Sequence, residues 1–332
     1  MSALTLGLAI ALFAVLAAEF VNGWTDAPNA IATVVSTGVM TPRAAILMAV
    51  VLNTVGAMAG TAVATTVGKG IVEPSALTLP SITATMIAII CWGTFAAKVG
   101  LPVSKSHALL AGLAGAAYAG GGLGALQTSG WQKVGICIFA SIVLGSLIAL
   151  LLSKLIIRIS ANAAPARAKR IFDRLQMVSA GTMAFNHGLN DGQKFMGVFA
   201  LTLFAGGATS EFVIPWWVII VCALTMGLGT SAGGWRIIET VGVKMARLTS
   251  WQGFAATAAA SGTIFGASLY GIPLSTTHTI TSAIVGVGAA RRWSDVSWRV
   301  LGRVVLAWLI TFPVCATLAY FAALFANAVW AV

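Results

Sequence analysis

Of the 332 residues, 59% are hydrophobic and only 8% charged, with a mean hydropathy of +0.96. Soluble domains carry about 25% charged residues, so a water-soluble globule is excluded; a disordered chain, which needs low hydrophobicity and high charge, is excluded with it. The formal net charge is +11; in a chain this apolar the basic excess reads as membrane topology, not nucleic-acid binding, and at about 20 residues per spanning helix there is room for roughly ten spans.

The N-terminus has no basic n-region or cleavage site and is expected to begin the first span. The first apolar run, 3–40, is too long for one straight helix and holds Glu19, Asn22, Asp26, Pro28 and Asn29 in its middle. Runs at 43–66 and 79–97 follow. Between 79–97 and 106–119 lies Gly100-Leu-Pro102-Val-Ser104-Lys105-Ser106-His107. Gly-x-Pro stops one helix and the hydroxyls after it cap the next, so a re-entrant hairpin with short arms is expected over about 79–119. After the run 131–157 comes the one markedly polar linker, 158–174, basic and expected to be cytoplasmic. It separates a first membrane repeat, 1–157, from a second, 175–332. The run 175–205 holds Asn186, His187, Asn190, Asp191 and Lys194. Beyond 213–230, runs 252–269 and 274–290 flank a second tip, Tyr270-Gly-Ile-Pro273-Leu-Ser275-Thr276-Thr277-His278, giving a second hairpin over about 252–290. A run at 299–330 closes the chain. Trp131, Trp216, Trp217, Trp235, Trp251, Trp293 and Trp298 fall near expected span ends, where indoles anchor at the interface. Cys91, Cys137, Cys222 and Cys315 show neither CxxC spacing nor a disulfide pattern and read as small hydrophobes.

The two halves repeat each other. Phe20-Val-Asn-Gly23-Trp-Thr-Asp26 aligns with Phe185-Asn-His-Gly188-Leu-Asn-Asp191 at an offset of 165, and Pro102-Val-Ser104-Lys-Ser-His107 with Pro273-Leu-Ser275-Thr-Thr-His278 at an offset of 171. Between them, Gly60-Thr61 with Val67-Gly68-Lys69 aligns with Gly229-Thr230 with Val241-Gly242-Val243-Lys244. Three matches in the same order imply an internal duplication. A cytoplasmic linker places most of the 19 basic residues inside and leaves Lys69 and Lys133 outside. Each half then crosses the membrane an odd number of times. The fold expected is an all-α polytopic membrane protein of two inverted-topology repeats with discontinuous helices and paired re-entrant hairpins, both termini lying outside the cytoplasm.

A carboxylate near the bilayer centre costs roughly 2.5–3.5 kcal/mol and marks ion or proton paths. Asp26 and Asp191 are such residues, at matching positions. Asn22, Thr25 and Asn29 beside one, and Asn186, Asn190 and Gln193 beside the other, offer the oxygen ligands a small cation prefers. Gly23, Pro28 and Gly188 are expected to interrupt the helix there and free backbone carbonyls. At the tips, two helix N-termini brought together near the midplane would offer free N–H groups and hydroxyls to a tetrahedral oxyanion. His107 and His278 are expected to bond backbone carbonyls rather than a metal. Lys194 either neutralises Asp191 or attracts the anion; Lys105 does likewise or snorkels to water. Two aspartates and a dianion give −4, against about +1 from two N-termini and +1 from Lys194. The deficit asks for co-bound Na⁺ or H⁺, and symport follows as the expectation. Paired tips with buried carboxylates argue against a channel. The symmetric duplication, with no HExxH motif or Ser/Lys dyad, argues against a membrane-embedded enzyme.

Asn22-Gly-Trp-Thr-Asp-Ala-Pro-Asn-Ala-Ile-Ala-Thr33 and His187-Gly-Leu-Asn-Asp-Gly-Gln-Lys-Phe-Met-Gly197 resemble the paired signature of the inorganic phosphate transporter family, the Pit-type permeases, and the Pro-x-Ser-x-x-His tips resemble its hairpin motifs. The resemblance covers nearly the whole chain. It implies a phosphate symporter in the cell membrane, coupled to Na⁺ or H⁺, often a homodimer, with no cofactor; some relatives carry sulfate instead. It assigns the coupling cation to Asp26, Asp191, Asn22 and Asn190, and the anion to Ser104, Ser106, Ser275, Thr276, Thr277, Asn29, Gln193 and Lys194. Thr25 stands where the family often has Asn, and Lys105 where it often has Thr.

Overall fold

The computed structural model describes residues 3–330. Over these the chain is almost entirely helical, and the β-type pairings are two isolated bridges, Val72 with Leu126 and Ala246 with Val296. Helix α1 (Ala3–Asp26) breaks at Ala27 and resumes as α2 (Pro28–Ser36). Next, α3 (Pro42–Met58) and α4 (Ala62–Lys69) meet at a bend of 68°. Helices α5 (Leu79–Lys98) and α6 (Lys105–Gly121) form a hairpin, and α7 (Thr128–Ile159) is a long closing helix of 32 residues.

The same order then recurs. Helix α8 (Pro165–His187) passes through a π-turn, Gly188–Gly192, into α9 (Gln193–Ala205). Helix α10 (Trp216–Ser231) is followed across a 66° bend by α11 (Trp235–Glu239) and a second π-turn. The second hairpin is α12 (Ser250–Leu269) with α13 (Thr276–Arg291), and α14 (Trp298–Trp330) closes the half with 33 residues that include Pro313. All seven tryptophans expected at span ends lie in or just before the first turns of α7, α10, α11, α12 and α14.

Five stretches among the described residues are long and apolar enough to cross a bilayer, or seven if each bent pair counts as one span. Their outward faces are greasy: Phe139 on α7 and Leu309 and Phe325 on α14 are about 70% exposed, which in water would be a large apolar patch and in lipid is the ordinary condition of a spanning helix. The chain is a multi-pass membrane protein. Fewer spans pass than the ten expected: α8 with α9, and the two arms of the second hairpin, are not among them. The basic stretch 158–174 is also less of a linker than its composition suggests. Only 160–164 lies outside a helix, since α7 runs on to Ile159 and Pro165, at the first position of α8, starts the next helix at once.

The halves are interleaved. Hairpin arm α6 packs on α14, and α13 packs on α7, so the long closing helix of each half covers the hairpin of the other. Likewise α1 lies on α10 and α8 on α3, while α3 and α10 pack on each other. This exchange brings both hairpin tips, the break after α1 and the π-turn after α8 to the middle of the molecule.

Candidate functional site

Each hairpin reverses through the same construction. Helix α5 ends with Gly100 in the left-handed region (φ +74°), which lets Leu101 N–H reach Ala96 O (2.9 Å) and Gly100 N–H reach Ala97 O (3.1 Å). Gly271 (φ +65°) does the same for α12, with Ile272 N–H on Ala267 O and Gly271 N–H on Ser268 O, both 3.0 Å. This is the Schellman ending, which needs a residue without a β-carbon cost at that φ. Pro102 and Pro273 then hold the chain extended, and Ser104 and Ser275 cap α6 and α13 by accepting from His107 N–H (3.2 Å) and His278 N–H (3.3 Å).

The two tips touch: Ser275 Oγ donates to Ser104 Oγ at 2.8 Å. The caps occupy the third N–H of each helix, and Ala108 and Thr279 bond back to Ser104 O and Ser275 O. Among the described residues, the N–H groups of Lys105, Ser106, Thr276 and Thr277 have no protein acceptor. Two helix N-termini, each worth about half a positive charge, therefore face one space.

The break after α1 and the π-turn after α8 deliver the carboxylates to that space. Asp26 is the last residue of α1, and Pro28, with no N–H, leaves the Trp24 carbonyl without its helical donor. Asp26 Oδ1 lies 3.4 Å from Lys105 Nζ, its Oδ2 accepts from Thr277 Oγ1 at 3.3 Å, and Thr25 Oγ1 stands 3.4 Å from Oδ1. Asn29 Nδ2 donates to Thr277 Oγ1 (3.0 Å) and Thr276 Oγ1 (3.4 Å). In the second half Asp191 sits in the π-turn, a device that often marks functional positions. Its Oδ2 accepts from Thr276 Oγ1 (2.7 Å) and lies 3.2 Å from His187 Nε2, and its Oδ1 is bonded to Lys194. Lys194 Nζ also donates to Ser106 Oγ (2.5 Å) and to Leu274 O (2.7 Å). Each signature thus reaches both tips. Asp26, Asp191, Lys105, Lys194 and the five tip hydroxyls are all at most 3% exposed, so the site is shut off from water on every side.

Several expectations need correcting. Lys105 does not snorkel: it is buried and turns inward to Asp26. Gly23 does not interrupt its helix, while Gly188 opens the π-turn that ends α8; both also let helices touch. A β-carbon on Gly23 would stand 2.3 Å from Met226 O, and one on Gly188 2.0 Å from Asn53 O. The break in the first half belongs to Pro28 alone. The histidines do not bond backbone carbonyls. His278 Nδ1 shares a 2.7 Å bond with Ser275 Oγ and its ring stacks on Trp308, while the His107 ring lies against His278 and Phe312, the centroids of the two imidazoles 4.4 Å apart.

Three polar residues of the signatures point elsewhere. Asn22 Nδ2 donates to Glu19 Oε2 (3.1 Å), a turn back from Asp26. Asn190 Nδ2 holds the neck of the second hairpin through Ser268 Oγ (2.8 Å) and Ile272 O (3.0 Å). Gln193 Oε1 accepts from Val63 N–H (2.9 Å) and Ala64 N–H (3.4 Å), capping α4, whose own Thr61 makes no side-chain cap. The hydroxyls of Thr276 and Thr277 are spent on carboxylates, while those of Ser104 and Ser106, which accept in their own bonds, stay available as donors beside the backbone N–H groups.

The sequence names His187 in the second signature without a role; its place four residues before Asp191 on one helix face is the signal for one. One oxygen each of Asp26 and Asp191 and a ring nitrogen of His187 lie within 4.8 Å of one another, all buried, an arrangement able to hold a proton or a small cation. Its Nδ1 pairs with Asn53 Oδ1 (3.1 Å). Glu19, fully buried with one carboxyl oxygen unpartnered, was noted but given no role.

A helical membrane protein with two hairpin tips and two buried acids around one closed centre has the form of a transporter. The comparisons agree. The profile described as the phosphate transporter family matches residues 22–166 and 158–319, and this chain belongs to that family. It is 42% identical over 321 residues to a probable low-affinity inorganic phosphate transporter of Rhizobium meliloti (strain 1021), covering 95% of each chain, and 39% identical over 312 residues to one of Bacillus subtilis (strain 168), covering 92% of this chain and 94% of the relative. A solved structure titled "The sodium-dependent phosphate transporter" superposes with a TM-score of 0.89 at 25% identity, covering 97% of this chain and 99% of the other. The family's work is transport, not catalysis.

Proposed function

We propose that this protein is a secondary active symporter that moves inorganic phosphate together with Na⁺ or H⁺, by alternating access around the closed site between the two tips. One observation carries the reading: four uncommitted N–H groups from two abutting helix N-termini, with Lys194 at their edge, meet a pair of buried carboxylates in a space without water access. N–H donors at helix N-termini suit a tetrahedral oxyanion. The acids suit its cation, and Asp26, Asp191 and His187 form the cation's place. Ser104, Ser106, Ser275, Thr276, Thr277, Asn29 and Lys194 border the anion's place. Gln193, Asn190 and Asn22 serve by fixing α4, the second hairpin and Glu19.

The recurring element order and the exchange of closing helices support two repeats of opposite orientation, rocking about the tips. The basic residues support a cytoplasmic 158–174 turn, both termini outside and a place in the cell membrane; the protomers pair as a homodimer. Purified protein in liposomes is expected to accumulate radiolabelled phosphate only when a Na⁺ or proton gradient is imposed, with unlabelled phosphate competing and sulfate not. Uptake that ignores both gradients, or that sulfate displaces equally well, refutes the assignment.

A further inference from the structure

The two acids of the site are balanced from different places in the fold. Asp191 is paired by Lys194, one turn away on its own helix; Asp26 is paired by Lys105, from the tip of the first hairpin. The match that sets Asp26 against Asp191 sets Asn29 against Lys194, and the match of the tips sets Lys105 against Thr276. Neither lysine has a lysine counterpart, yet each acid receives one ammonium.

The two ammonium groups are also held differently. Lys194 has three partners and is locked in place. Lys105 has one, at 3.4 Å, and is held by charge. Its stem lies in a groove opened by Gly93 of α5, where a β-carbon would come within 2.7 Å of Lys105 Cε. A buried lysine seated this way beside a carboxylate, and bonded to little else, has the form of a counterion.

We infer that the Lys105 ammonium is a tethered cation that fills the place beside Asp26 which a free Na⁺ would otherwise take, and so lowers by one the number of cations that move with each anion. The inference rests on the symport reading. With Lys105 counted, Asp26 and Asp191 are balanced by two lysines, and a dianion facing about +1 from two helix N-termini is left short by roughly one charge rather than two. Without Lys105, Asp26 faces the hydroxyls of Thr25 and Thr277, hard oxygen donors of the kind Na⁺ accepts.

The test is binding of ²²Na⁺ to the purified full-length protein in detergent, without phosphate. Lys105→Thr, which places at this tip the residue type found at the matching position of the other, is expected to bind one more Na⁺ per chain than the wild type. The extra Na⁺ is expected to vanish in Asp26→Asn/Lys105→Thr, and Lys105→Arg is expected to bind no more than the wild type. No extra Na⁺ in Lys105→Thr, or an extra Na⁺ that survives loss of Asp26, overturns the inference. If Lys105→Thr does not fold, Lys105→Ser decides in its place: one Na⁺ per chain more than the wild type is expected, and no extra Na⁺ overturns the inference. Failure of the phosphate reading would show separately, as absence of phosphate accumulation by every one of these proteins in liposomes, with the Na⁺ counts unaffected.

Discussion

The two halves of the site hold the same carboxylate by different means. Asp191 is gripped: Lys194, Thr276 and His187 all lie within 3.2 Å of it, and the π-turn that carries it continues the helix without a break. Asp26 is loosely held: its contacts to Lys105, Thr277 and Thr25 run from 3.3 to 3.4 Å, and it stands at a true break made by Pro28. A duplicated architecture thus does not oblige its halves to share one chemistry. One half carries its positive charge on the helix and the other on the hairpin, and the assembly stays balanced because each signature reaches both tips.

The largest expected effect separates the two acids. Asp191→Asn strands Lys194 in a dry site, and breaking a buried pair from one side costs about 3–5 kcal/mol. Coupled uptake should disappear and thermal unfolding in detergent should move down clearly. Asp26→Asn breaks looser contacts but leaves Lys105 with no other partner among the described residues, whereas Lys194 keeps Ser106 and Leu274, so uptake should fall and unfolding should move at least as far; a much smaller shift would mean that the contact at Asp26 carries little energy. Next come the close contacts behind each acid. Gly188→Ala and Gly23→Ala each push a methyl into a backbone carbonyl, at Asn53 and Met226, and overpacking of this kind costs about 1–3 kcal/mol. Both should be measurable by thermal unfolding, and a neutral result at Gly188 would show that the π-turn yields where we describe it as firm.

The smallest effect concerns the necks of the hairpins. The first is tied by Thr240 Oγ1 donating to Gly100 O at 2.8 Å and by Arg236 bonding Lys98 O. The second is tied instead by Asn190 Nδ2 on Ser268 Oγ and Ile272 O, and packs against Ala62 and Thr66 of α4. Thr240→Val removes one bond worth about 0.5–1.5 kcal/mol, so hydrogen exchange over 100–107 should quicken while 271–278 stays unchanged. Equal quickening at both tips would tie the two hairpins into one unit.

Much of this was legible before any coordinates. The Gly-x-Pro-x-Ser spacing carries a helix stop, an extended corner and a cap, all of them local, and both hairpins follow it residue for residue. The paired aspartates stood out because a carboxylate between apolar flanks has no cheap explanation. What sequence could not supply was partnership across the fold. Lys105 sits at a tip, where its stem could lead to water; only the groove beside Gly93 turns it inward. Gln193 and Asn190 look like ligands by composition, yet a helix end without a cap and a hairpin neck had prior need of their hydrogen bonds. The role of Gly188 likewise depends on the Asn53 carbonyl, a partner more than a hundred residues away.

A structure of the protein with bound arsenate, located by its anomalous scattering, tests the central claim most directly. The anion is expected between the hairpin tips, within hydrogen-bond distance of the N–H groups of Ser106 and Thr277 and beside Lys194. An arsenate found instead in the 270 Å³ cavity lined by Lys133 and Tyr270, on the outer side of the second tip, with the space between the tips empty, would contradict it.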